Sequence, residues 1–308
     1  MMWEQSRVGS NPTGGTTLEK SKSFWGRKIF NFMTKTIKAE WDKIARQWHK
    51  EAGEKGLWHQ KHDIDPVILK LLGGVKGKKI LEIGAGNGYF SRLLAKKGAK
   101  VTATDIAPKL ISFAQKEEKN NPLSITYLVR NAADIRGVKK KSFDAVIANM
   151  CLMDIADAER AVKEASRILK KNGQFIFSVT HPVFADFRQY WTITKQKNKT
   201  YFARIVPTYL SSSSEKFTLL ISGIKKFKAT QYHRSIDTYF TYLKKAGFLV
   251  SDFREIATKK PVTKANFKID GDTSLRRSKY SKVQEKKMKE LAGREIPVFL
   301  VVGSIKIK

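Results

Sequence analysis

Lys79-Ile80-Leu81-Glu82-Ile83-Gly84-Ala85-Gly86-Asn87-Gly88-Tyr89-Phe90 is the stretch whose reading decides the fold. Ile80, Leu81 and Ile83 form a short apolar run around one acid, the pattern of a buried parallel strand. Glycine then stands at every second position, and the apolar residues of Tyr89-Phe90-Ser91-Arg92-Leu93-Leu94 return at helical spacing. Strand, glycine turn and helix together open a nucleotide-binding α/β sheet. The glycines permit a sharp turn and the close approach of a ligand to the backbone. The dinucleotide pattern G-x-G-x-x-G does not fit, because the third glycine arrives one residue early.

Working outward, strand and helix alternate. Val101 to Thr104 is a second strand that delivers Asp105, and Pro108 starts a helix. Ile125 to Val129 is a third strand, ending in Asn131-Ala132. Phe143 to Ala148 is a fourth, ending in Asn149-Met150. Asp157 caps a helix stopped by Asn172-Gly173, and Gln174 to Val179 is a fifth strand. Strict alternation implies a parallel sheet covered on both faces. Residues 182 to about 230 break the pattern and read as an insertion of irregular or β structure. Regularity resumes with a helix capped by Ser235, a sixth strand from Phe248 to Phe253, and a last strand, Pro297 to Val302.

Upstream, residues 1–20 lack periodicity and are expected to be disordered. Ser23 to Ile37 mixes aromatic and basic residues in an amphipathic helix, which suits either a cap over the cleft or an anionic membrane surface. A second short helix is expected over Trp41, Ile44, Ala45 and Trp48. A third opens at Asp65-Pro66, with Asp65 as N-cap and Gly73-Gly74 as the stop. The domain reading is a tail at 1–20, a helical cap at 21–62, and a main domain at 63–308 with a lid insertion at about 182–230.

Sixty Lys+Arg against 28 Asp+Glu give a net charge of +32. Such a chain attracts polyanions weakly and without a specific site, whether nucleic acid or anionic membrane. Its basic clusters, at Lys139-Lys140-Lys141, Lys225-Lys226 and Arg276-Arg277 among others, are dispersed, so they read as solvated faces rather than a footprint. The single cysteine, Cys151, excludes an intramolecular disulfide, and no Cys/His spacing fits zinc, so no metal is expected. No apolar run reaches the roughly 18 residues of a membrane span, and no signal-peptide pattern opens the chain. A cytoplasmic protein is expected.

Asp105, at the tip of the strand after the glycine turn, suits the two hydroxyls of a ribose. Asn131-Ala132 can meet a purine edge with a side-chain amide and a backbone N–H, with Asp134 as the alternative. Glu82-x-Gly84-x-Gly86-x-Gly88 resembles motif I of class I S-adenosylmethionine-dependent methyltransferases. Within that class the chain is similar to the small-molecule and quinone branch (methyltransferase type 11-like). Met150-Cys151-Leu152-Met153-Asp154-Ile155, Thr180-His181-Pro182, Tyr232-His233-Arg234 and Ala246-Gly247-Phe248 carry that closer likeness.

The resemblance implies a Rossmann-like, seven-stranded, mostly parallel α/β sheet with the last strand antiparallel. It places S-adenosyl-L-methionine against Glu82, Gly84, Ala85, Gly86, Gly88, Asp105, Ile106, Asn131, Ala132, Asn149 and Met150. Asn131 is a departure, since an acid commonly holds that place. The expected reaction moves a methyl group to an O, N or C atom of a small acceptor. His181 and His233 are the candidate bases, and Tyr190, Trp191 and Tyr232 are candidate acceptor walls. Methylation of a membrane lipid, quinone or RNA, and non-catalytic polyanion binding on a vestigial fold, are the alternatives.

Overall fold

The computed structural model describes residues 17–185, 190–196, 199–206, 208–219, 227–259 and 296–307. Most of the expected N-terminal tail, and the side chains of Tyr190 and Trp191, lie outside the described part.

The expected sheet is present. Its strands are β1 (Lys79–Ile83), β2 (Lys100–Asp105), β3 (Thr126–Val129), β4 (Phe143–Asn149) and β5 (Leu169–Thr180). After two hairpins, β6 (Tyr190–Gln196) with β7 (Lys199–Ile205) and β8 (Ser213–Leu219) with β9 (Phe227–His233), come β10 (Phe248–Ile256) and β11 (Phe299–Lys306). The seven strands run in the order β10-β11-β5-β4-β1-β2-β3, and β11 is antiparallel to both of its neighbours. The chain builds outward from β1 to β3 and then crosses back to β4, so the order reverses between β1 and β4. Ligands of open α/β sheets bind outside the strand carboxyl ends at such a switch point.

Alternate strand residues feed opposite cores, as a period of two requires. Leu81, Val146, Phe175 and Val302 pack against α5 (Ala158–Ile168) and α6 (Ile236–Lys245). Ile80, Ala145, Ile176 and Val301 pack against α2 (Asp65–Leu72) and α3 (Tyr89–Lys96) on the other face. Two of the three expected caps form: Asp157 accepts from the Arg160 N–H, and Ser235 from the Thr238 N–H.

Three local expectations are corrected. The two N-terminal helices are one, α1 (Thr17–Ala52). No glycine or proline separates Ile37 from Trp41, and Ile37, Trp41, Ile44, Ala45, Trp48 and Ala52 continue a single stripe. Asp65 is not an N-cap: a π-helical turn over Gln60–Ile64 runs straight into α2, and the Asp65 carboxylate turns inward. Asn172-Gly173 do not stop a helix. Buried Leu169 leaves helical backbone to pair with Phe143, and the residues between it and Gln174 bulge within β5.

α1 crosses the carboxyl end of the sheet. It packs Trp41, Ala45 and Trp48 on Ala107 and Leu110 at the start of α4 (Pro108–Asn120), and Ile44 on Ala229 of β9. Asp42 Oδ1 accepts from the Lys109 N–H at 3.0 Å, so α1 caps a helix whose own N-cap, Ala107, cannot. Glu40 accepts the Thr230 N–H at 2.9 Å and its hydroxyl at 3.1 Å.

Candidate active site

A cavity of about 420 Å³ opens at the switch point, beneath α1. Its floor is the loop after β1. Gly84, Gly86 and Gly88 all hold left-handed backbone, with φ of 67°, 57° and 81°. They do different things. A Cβ on Gly84 would lie 2.5 Å from Cys151 Cβ, so that glycine is demanded by packing within the protein. A Cβ on Gly86 would meet only Trp48 Nε1, at 3.4 Å, so Gly86 presents open backbone to the cavity.

Asp105 closes one side. Its Oδ2 accepts the Gly86 N–H and its Oδ1 the Ala107 N–H, each at 2.9 Å. Burial raises its pKa, while those backbone donors and that of Ile106 pull it back. With about four acceptor sites against three backbone donors, the carboxylate keeps acceptor capacity of the kind that a ribose diol uses. Asn87 also lines the cavity; its amide nitrogen donates to Gly53 O at 2.8 Å, and its buried Oδ1 has no hydrogen-bond partner among the described residues. Glu82, buried beside the loop, accepts the Ser91 hydroxyl. Burial pushes its pKa to about 8, and the nearby Asp65 and Asp105 charges push the same way.

At the β3 tip, Ala132 and Asn131 both line the cavity. The Asn131 carbonyl, expected to receive an adenine amino group, accepts the Ala133 N–H at 2.9 Å, which leaves one lone pair. Its amide nitrogen donates to Thr34 Oγ1 of α1 at 3.2 Å. Asp134 turns to Arg136 at 2.8 Å and is not part of the lining.

At the β4 tip, Asn149 sits in a buried network. Its amide donates to Asp65 Oδ1 at 2.9 Å and Tyr89 Oη at 3.0 Å, and its carbonyl accepts the Ser178 hydroxyl at 2.8 Å. Met150 follows with φ of 56°, a strained value for a side-chain-bearing residue. Cys151 Sγ donates to Ile83 O at 3.2 Å, and burial lifts its pKa well above the ordinary thiol value, so it behaves as a small core residue rather than a nucleophile.

Neither expected base lines the cavity. His181 Nε2 meets Glu255 Oε1 at 2.9 Å, and its Nδ1 accepts the N–H groups of Val183 and Phe184. His233 Nε2 meets Tyr209 O at 2.7 Å. Both order loops.

Two residues to which the sequence reading assigned no role of their own do line it, although Asp154 belongs to the stretch after β4 quoted above. Asp154 is buried, its Oδ1 lacks a partner among the described residues, and burial raises its pKa to about 8 against the opposing Gln231 hydrogen bond and Arg234 charge. Arg234 fixes that turn by donating to the carbonyls of Leu152, Ile155 and Ala156. His59, before the π-helical turn, is the other. Its signal in the sequence was His59 and Asp63 four apart, on one helical face.

Comparison with known proteins agrees with this geometry. Residues 81–177 match the methyltransferase domain family. The chain is 30% identical over 156 residues to the ubiquinone biosynthesis O-methyltransferase of Xanthomonas oryzae, covering 48% of this chain and 64% of that protein. It therefore spans less than two thirds of that relative's length. Among solved structures, an S-adenosylmethionine-dependent methyltransferase from Mesorhizobium loti superposes with a TM-score of 0.57 at 23% identity, over 78% of this chain and 96% of that one. A candidate methyltransferase of the same type from Listeria monocytogenes gives 0.55 at 26% identity, over 79% and 97%. Residues 81–177 carry the match to a methyltransferase domain, and the fold is shared with solved S-adenosylmethionine-dependent methyltransferases, whose cofactor is S-adenosylmethionine. Open Gly86, the remaining acceptor capacity of Asp105 and the unpaired Asn87 carbonyl fit such a group.

Proposed function

We propose that this protein transfers a methyl group to an oxygen atom of a small, largely apolar acceptor carrying a hydroxyl. One observation carries the reading: a single cavity joins the Gly86–Asp105 cradle to walls formed by Ile37, Trp41, Leu57, Met153, Ile155 and Phe299. The choice of oxygen draws on the O-methyltransferase names of the relatives. When bound, S-adenosylmethionine supplies a methyl group already activated on a sulfonium.

The protein's work is then alignment and exclusion of water, where positioning contributes up to about 7–11 kcal/mol. Asp105 holds the ribose hydroxyls, Gly86 and Ala85 give backbone against the cofactor, and Ala132 with Asn131 bounds the adenine. Asn149 and Met150 flank the methionine portion. Asp154, with Gln231 beside it, receives a polar group of the acceptor. The N-terminal segment, residues 21–62, acts as the cap, and β9 of the insertion adds Gln231 to the lining.

The +32 charge supports only weak, non-specific attraction to nucleic acid or anionic membrane. No helix among the described residues is long and apolar enough to cross a membrane, no cluster among them could hold a metal ion, and the lone buried Cys151 suits a cytoplasmic setting.

Incubation with methyl-labelled S-adenosylmethionine and a small-molecule cell extract, followed by mass spectrometry, tests the reading. A labelled methyl ether is expected. Label appearing only in RNA or protein overturns it.

A further inference from the structure

The half of the cavity over β1, β2 and β3 holds the Gly86–Asp105 cradle and Asn131, whereas His59 sits over the other half. Its ring lies 5.4 Å from that of Phe299, the first residue of β11, which pairs with Thr180 at the end of β5. One ring edge is anchored: Nδ1 meets Asp63 Oδ2 at 3.1 Å and Thr258 Oγ1 at 3.1 Å. Asp63 is itself fixed, accepting the Thr258 hydroxyl at 2.9 Å and the Lys259 N–H at 3.1 Å, and its side chain is fully buried. The His59 side chain is 34% exposed and lines the cavity, and Nε2 is the ring nitrogen away from the anchored edge. No hydrogen bond at Nε2 occurs among the described residues. A carboxylate on Nδ1 fixes the proton there and leaves the Nε2 lone pair available.

We infer that His59, oriented by Asp63, is the general base that accepts the hydroxyl proton of the methyl acceptor. This rests on the methyl-transfer reading above. As the acceptor oxygen forms its bond to the methyl carbon, the O–H bond breaks and its proton passes to Nε2. The electron pair of the broken carbon–sulfur bond stays with sulfur. The imidazolium, stabilised by Asp63, then releases the proton to solvent. The acceptor class is accordingly one with an un-ionised hydroxyl, such as a phenol or enol, rather than a carboxylate, which needs no base.

The ionisable groups around His59 are Asp63 and His62 on its own turn, with His62 under Trp58 at 4.7 Å. From beyond β10 comes Lys259, whose ammonium meets His62 O at 3.3 Å. From β10 and the end of β5 comes the Glu255–His181 pair, and from α2 comes Asp65.

The test compares wild type, H59Q and D63N by three measurements: heat of S-adenosylmethionine binding, rate of label transfer to the extract acceptor across pH, and imidazole nitrogen NMR. H59Q should bind S-adenosylmethionine as wild type does and melt as wild type does. It should lose about 10²–10⁴-fold in kcat near neutrality. The loss should shrink at high pH, where the acceptor ionises unaided. D63N should show a smaller loss of the same kind. NMR should show neutral His59 protonated at Nδ1 in wild type, and the opposite tautomer gaining in D63N.

Wild-type turnover in H59Q, a loss that is the same at every pH, or an Nε2-protonated His59 in wild type would overturn the assignment alone. Wild-type binding of cofactor with no transfer to any small molecule would overturn both this inference and the function it rests on.

Discussion

The Gly86 amide and the Asp105 carboxylate, nineteen residues apart, are joined at 2.9 Å, so the loop after β1 and the tip of β2 act as one rigid surface. Removing the carboxylate as Asp105→Ala deletes this tie, the Ala107 one and the diol acceptors together. Two charge-assisted hydrogen bonds to a ligand contribute about 3 kcal/mol, roughly a hundredfold in affinity. Calorimetry with S-adenosylmethionine should show at least that loss. Gly86→Val should also abolish the heat, because a β-branched residue resists φ of 57° and its side chain would project into the cradle.

Asp154 makes stability depend on pH in an unusual direction. Its folded pKa, about 8, lies above the ordinary carboxylate value of 3.8, so between those values the folded chain holds a proton that the unfolded chain has lost. Its contribution is fully present below the unfolded pKa and is lost as pH rises through the folded one. Asp65 and Glu82, raised to about 7 and about 8, act in the same sense. The urea midpoint of the ligand-free protein should therefore fall from pH 5 to pH 9. Asp154→Asn should flatten part of that fall, leaving the variant closer to wild type, or above it, at the alkaline end. A variant with the wild-type slope would contradict the protonated carboxyl.

Asp42 serves as an N-cap supplied from another helix. Asp42→Ala should cost about 1 kcal/mol of stability, in line with loss of an ordinary cap. Asp42→Asn, which keeps the accepting oxygen, should restore most of it. Denaturant titration of the two variants separates the cap from simple loss of charge.

The α/β frame was readable from β1 to α5 because buried parallel strands are apolar runs and their glycines and caps are local signals. Gly84 to Gly88 and Asp105 fell where expected for that reason. The bases did not. His181 and His233 stand where chain order alone suggests a base, but a histidine near a strand end is as easily held by loop carbonyls and amides. What separates His59 from them is Thr258 and Lys259, almost two hundred residues away, which complete the cage around Asp63. No local pattern encodes such a contact. The same holds for Asn131: the turn to Ala133 occupies one lone pair of its carbonyl, a contact that the sequence does not announce. Asp65 looked like a cap because Pro66 follows it. The π-helical turn in front, held by contacts elsewhere, removed the free helix end that a cap would serve.

One wall of the cavity is a helix held at three separated points. Thr34 meets Asn131, Asp42 meets the start of α4, and Glu40 meets β9. Each such bond is worth about 1 kcal/mol net, so together they favour the docked helix by roughly a hundredfold. These ties bridge elements on opposite sides of the cleft, from the β3 tip to the second hairpin. Any opening of that wall consequently has to break ties to three different elements at once, so the helix moves as a unit or not at all.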